Sequence, residues 1–209
     1  MTKKTLRLLI FFVIAGCGSP VTFDQPQPPK TREIHRFPRQ LFGKYTSFDS
    51  KSTIIINEKF ILKIYDYDLM TSKDSLDKSY KIKGDTLYFR EGDNYELIKT
   101  IHDSIIQHVY SKETLFSFDS STVLKKFKGN YFLNYLWDKD KWIVKKMTLV
   151  KGILTLSDIN TREEVTILNE ITETPADTIS YDFEVSKKQF KQFLKLGGFR
   201  DTDFFIKMK

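Results

Sequence analysis

The chain has one cysteine, three histidines and nine glycines among its 209 residues. A single thiol excludes a disulfide framework and a Cys-based zinc site. His35, His102 and His108 show no HExxH or other ligand spacing, so no metal is expected. With so few glycines there is no phosphate-cradling loop and no Gly-x-Ser-x-Gly elbow. Long apolar runs are scarce as well. The one unbroken example, Leu8–Ile14, is far short of the roughly 20 residues that cross a bilayer as a helix.

What is present begins with that short run. Lys3, Lys4 and Arg7 precede it, and the small residues Ala15 and Gly16 follow it, which is the layout of a secretory signal peptide. The run ends in Ile14-Ala15-Gly16-Cys17, an aliphatic residue, two small residues and a cysteine. These residues resemble the lipobox of bacterial lipoproteins. The resemblance implies lipid transfer to the Cys17 sulfur, cleavage before Cys17, and acylation (palmitate or a similar chain) of the new amino terminus. Two or three acyl chains, at about 0.8 kcal/mol per buried methylene, give a durable anchor. In that class an aspartate after the cysteine retains the protein at the inner membrane. Position 18 is Gly18, so the outer membrane, on its periplasmic face, is the expected location.

Three basic residues and no acidic ones lie in residues 1–16. The remainder therefore carries 31 Lys and Arg against 27 Asp and Glu, a balance of +4. This mixed surface gives no support to nucleic acid as a partner. Five of the six prolines fall between Pro20 and Pro38, with "DQPQPPKTRE" between them. Proline removes amide donors and favours polyproline II, so residues 17–39 are expected to form a semi-rigid tether outside the core, reaching roughly 60 Å at about 3.1 Å per residue.

From residue 40 the pattern is that of strands. "STIII" and "FILKIY" flank Asn57-Glu58-Lys59, "SYKIK" and "TLYFR" flank Gly84-Asp85, and "YELIKTI" and "SIIQHVY" flank His102-Asp103. Alternation with turn residues at short spacing predicts antiparallel hairpins. A second round follows: "FKGNYFLNYLW", "WIVKKMTLV", "ILTLSDI" and "EEVTILNEI", the last read as a further strand. Leu41-x-Gly43-x-Tyr45 and Phe127-x-Gly129-x-Tyr131 open the two rounds alike, which suggests two related β units, 40–122 and 123–209. The same opening resembles the first strand of lipocalin-like barrels, and the resemblance implies a pocket for a lipid or other apolar ligand. Ser186-x-x-Gln189 fits a capping box, Phe190, Phe193 and Leu194 share a face, and Gly197-Gly198 ends the segment, so one C-terminal helix is predicted. "FFIK" at 204–207 is a closing strand. The fold class is mainly β, an antiparallel hairpin meander in a sandwich or a partly open barrel.

Candidate chemistry is sparse. Asp66, Asp68, Asp74 and Asp77 lack the glycine and closing glutamate of an EF-hand and read as a polar loop. Trp137 and Trp142 flank the charged stretch Asp138–Lys141. Exposed, they would stack on a sugar ring or a partner; paired across the hairpin, they would add about 0.2–1 kcal/mol. No catalytic residue and no cofactor is assigned. Two functions fit: a non-catalytic accessory subunit, lipid-anchored through Cys17, that docks on an envelope protein, or a lipocalin-like binding module.

Overall fold

Alternation in the sequence becomes alternation in burial. In Ser52–Ile56 the first, third and fifth side chains are buried and the two between are half-exposed, as a strand with one face on a core requires. The structure, a computed structural model, describes residues 20–89, 95–174 and 180–208. Cys17 and the lipobox lie outside the described residues. In chain order the elements are β1 (Thr22–Phe23), β2 (Glu33–Ile34), β3 (Gly43–Ser47), β4 (Ser52–Ile56), β5 (Phe60–Ser72), β6 (Tyr80–Lys83), β7 (Thr86–Phe89), β8 (Tyr95–Leu97), β9 (Lys99–Ile101) and β10 (Ser104–Ser117). There follow β11 (Thr122–Phe127), β12 (Asn130–Asp138), β13 (Lys141–Val150), β14 (Ile153–Asp158), α1 (Arg162–Ile171), β15 (Asp182–Phe183), α2 (Lys187–Lys195) and β16 (Asp201–Lys207).

The main sheet runs β2-β11-β12-β13-β14-β16-β3-β4-β5-β10-β9. The C-terminal strand β16 lies between β14 and β3 and pairs antiparallel with both. It therefore joins the two expected β units into one sheet. The sheet curls without closing into a barrel, so that Tyr45, Ile54, Ile61 and Phe116 of the first half meet Leu124, Tyr131, Met147 and Leu154 of the second in one core. Tyr45 and Tyr131, the repeated tyrosines, are both buried here. Tyr45 donates its hydroxyl to Leu41 O at 2.8 Å, and the Tyr131 hydroxyl accepts from Gln40 Nε2 at 2.7 Å. Beside the β10–β11 turn, Phe37 packs on Phe116 and Phe118 with ring centroids 5.5 and 5.1 Å away.

A second layer covers the outer face of β12 and β13. Phe132 and Val144, which point away from the first core, pack with Phe23, Val165, Leu168, Phe183, Phe190, Phe193 and Phe199. Each such side chain contributes about 1.5–3 kcal/mol by leaving water. Helix α2 forms where the sequence predicts it. Ser186 Oγ accepts from Gln189 N, and Gln189 Oε1 accepts from Ser186 N at 2.8 Å. Gly197, at φ +85°, then lets Gly198 N donate back to Phe193 O at 3.0 Å and end the helix.

Three expectations are corrected. "EEVTILNEI" is the helix α1 and not a strand: Val165, Leu168 and Ile171 share its buried face, and Thr161 with Glu164 forms a capping box. "YELIKTI" divides at the buried Ile98, whose N–H donates to Asp85 O; β8 pairs with β7 and β9 with β10. The expected tether is folded from Val21 onward. Val21, Thr22, Phe23, Gln27 and Phe37 are buried, β1 pairs with β13 and β15, and β2 pairs with β11. The amides that proline removes are not missed, because side chains bind this segment. Asn134 bonds both backbone groups of Gln27, and Lys125 Nζ donates to Pro26 O at 2.7 Å and Pro28 O at 3.2 Å.

Candidate functional site

Strands average five or six residues, yet β5 has 13 and β10 has 14. Their proximal ends, at Ile61 and Phe116, belong to the main core. Beyond Ile64, opposite Lys112, the ribbon continues to Ser72 opposite Ser104, about 26 Å further at 3.3 Å per residue. This distal part contributes to neither body core. It carries its own small sheet, β6-β7-β8, held by Leu87, Ile98 and Ile105 with Leu76 and Ile82.

Such a small core cannot cover the apolar side chains around it. On this arm Met70 is 64% exposed, Tyr95 65%, Leu97 73% and Tyr110 63%, and Leu69, Tyr80, Tyr88 and Ile101 are exposed as well. The rings of Tyr88 and Tyr95 lie 6.3 Å apart. Apolar exposure concentrated on one element marks an interaction surface more than a scatter of single residues does. No segment of the sequence pointed to this arm. Its signal was the length of two strands joined through a mostly polar insert.

Trp137 and Trp142 stand on adjacent strands out of register. Leu136 is the partner of Trp142, and Trp137 sits at the irregularity between Leu136 and Asp138. Because Asp138 pairs with Lys141, the hairpin turns on Lys139-Asp140 alone, a tighter turn than the four-residue loop expected. Trp142 is half-buried beside its β1 partner Phe23, while Trp137 is exposed.

The histidines are dispersed. His35 lines a shallow 220 Å³ pocket with Glu33, Phe118 and Asp119. His102 lies in the β9–β10 turn at φ 51°, so the turn is His102-Asp103 and His108 faces β5. There its ring lies between two carboxylates, 3.0 Å from Asp68 and 3.5 Å from Asp66. Both aspartates are strand residues, not the polar loop expected, and among the described residues no group of three His, Cys, Asp or Glu side chains is arranged to hold a metal.

Charged groups inside the body serve the fold. Lys145 Nζ meets Asp158 at 2.8 Å. Burial, with the Asp158 carboxylate adding to it, pushes the Tyr135 phenol above its usual range. Burial likewise lowers Lys125 and Lys146. The buried Glu164 accepts from Asn160 N, Thr161 N, Thr161 Oγ and Arg200 N, tying the start of α1 to the entry of β16. No family model, no curated protein and no solved structure matches this chain.

Proposed function

We propose that this chain is a lipid-anchored lipoprotein of the outer membrane, facing the periplasm, that serves as a non-catalytic accessory subunit of an envelope protein assembly. The arm formed by distal β5 and β10 with β6–β8 carries the reading: it exposes Met70, Tyr95, Leu97 and Tyr110 and adds nothing to either body core. The lipobox at Ile14–Cys17 supplies the anchor, and the arm supplies a face for an apolar, aromatic-rich partner surface. The lipocalin-like alternative is weakened by the packing. The space where a lipid would enter is filled by Tyr45, Phe116, Tyr131 and Phe205.

The test uses full-length protein with its lipid and a C-terminal tag, captured from mild-detergent extracts of native membranes. A stoichiometric protein partner is expected, and Leu97→Asp with Tyr110→Asp should release it while leaving the melting temperature unchanged. A partner retained by that variant, or none captured by either, overturns the docking role. Cys17→Ala should shift the protein out of the membrane fraction and remove the acyl mass. Unchanged mass and fractionation would remove the anchor.

A further inference from the structure

Past β9 the edge of β10 is open. β9 pairs only with residues 104–106, and over residues 107–117 the strand has β5 on one side and, among the described residues, no strand on the other. Which backbone groups face that opening follows from one hydrogen bond. Lys73 N donates to Asp103 O at 2.8 Å, in register with Ser104 opposite Ser72. Antiparallel bonding alternates from residue to residue, so the odd-numbered residues of β10 bond to β5 and the even-numbered ones turn outward, up to the irregularity between Thr114 and Phe116. Ser104 and Ile106 bond to β9. His108, Tyr110, Lys112 and Thr114 are left with N–H and C=O groups aimed out of the sheet, along about 20 Å at 3.3 Å per residue.

Outward main-chain groups in a row along a strand fit one kind of occupant, another extended strand. Exposure agrees, because residues 110–114 are exposed without a break and no other element covers either face there. A second copy of the chain fits poorly. Two β10 edges paired about a twofold axis normal to the sheet, in any register centred on residues 107–111, drive the end of each β10 into the other copy's β9. Centring on Lys112 or on Glu113 opposes like charges, and beyond them lies the irregularity.

The same two charges specify what an added strand should carry. Lys112 has Ile64, and no carboxylate, across from it on β5. Glu113 is opposite Lys63, whose Nζ lies over the Tyr65 ring, 4.9 Å from its centre. We propose that the free edge of β10 takes an extended segment of a partner protein as an antiparallel strand. Its main chain bonds to His108, Tyr110, Lys112 and Thr114, with an acidic residue opposite Lys112, a basic one opposite Glu113 and apolar ones opposite Tyr110 and Val109. This rests on the docking role above and names what docks.

The probe is the end-blocked peptide Thr-Lys-Glu-Thr-Tyr-Val-Thr-Gln, added at about 2 mM to the full chain in detergent and followed by amide hydrogen exchange in NMR. Exchange at His108, Tyr110, Lys112 and Thr114 should slow about fivefold. N-methylation of the peptide's Glu and Tyr, whose amides point at β10, should abolish the effect, and N-methylation of its Lys and Val should not. Exchanging Lys and Glu in the peptide should weaken binding about fivefold, and Lys112→Glu with Glu113→Lys should restore it. Unchanged exchange at the four amides, equal effects of the two N-methylated peptides, or slowing in the chain alone as its concentration rises overturns the proposal. A pull-down without a partner ends the docking role whatever the peptide does. A captured partner that leaves the four amides exchanging as in the free chain ends the edge site alone.

Discussion

Asn134 bonds both backbone groups of Gln27: its Nδ2 donates to Gln27 O at 2.9 Å, and its Oδ1 accepts from Gln27 N at 2.5 Å. One side-chain amide thus does for a proline-flanked residue what a neighbouring strand does elsewhere. Both residues are fully buried. Asn134→Ala leaves an N–H and a C=O without partners, each costing about 1–3 kcal/mol. The expected loss is about 2–4 kcal/mol, read as a lower urea midpoint, with earlier proteolysis in residues 24–36. An unchanged midpoint would show that this segment does not depend on its side-chain clasp.

Glu164 supports a second prediction. Its two oxygens receive only donors: Asn160 N, Thr161 N and Thr161 Oγ on one, Arg200 N on the other. In Glu164→Gln one of these positions becomes an NH₂ group facing an N–H. The cost is about 2–3 kcal/mol, or roughly 4–12 °C in melting temperature for a chain of this size. A Gln variant that melts with the wild type would mean that the carboxylate is spare.

Gly198 is required by a close approach. A Cβ there would stand 2.4 Å from Cε1 and Cζ of Phe193, a ring buried in the outer layer. Gly198→Ala should cost about 1–3 kcal/mol through displacement of that ring. Trimming the ring relieves the clash, so adding Gly198→Ala to Phe193→Leu should cost much less than adding it to wild type. Additive losses in the double-mutant cycle would refute the contact as the cause.

The capped helix α2 was legible because every signal for it is local: Ser186 and Gln189 at the start, one apolar face, Gly197-Gly198 at the end. For α1 the β-branched residues Val165, Thr166 and Ile167 outweighed Thr161-x-x-Glu164, although that pair is the same capping signal. The hairpins could be read from alternation, but the place of β16 between β14 and β3 could not, since long-range pairing leaves no mark in either strand. At the N-terminus proline content concealed Val21, Phe23 and Phe37, whose packing partners lie far along the chain, Phe183 for Phe23 and Phe116 for Phe37.

Lys125 yields a prediction in pH. Burial holds its folded-state value below the ordinary 10.5, with Glu33 partly opposing and Lys187 adding to the shift. The folded chain therefore releases this proton at lower pH than the unfolded chain does. Between the depressed value and 10.5 the unfolded state binds more protons, so stability from this residue rises with pH across that window. Below the window the cost of burying the ammonium is fully present. Lys125→Met removes the titration and also leaves Pro26 O and Pro28 O without their donor. The variant should be less stable than wild type at neutral pH, and the gap should widen as pH rises towards 10.5. Lys146, lowered by burial in the same way, keeps its own contribution in both proteins and cancels from the difference. Urea unfolding of the pair at several alkaline pH values measures it. Parallel profiles would mean that Lys125 meets the same environment folded and unfolded, contrary to its burial beneath the proline segment.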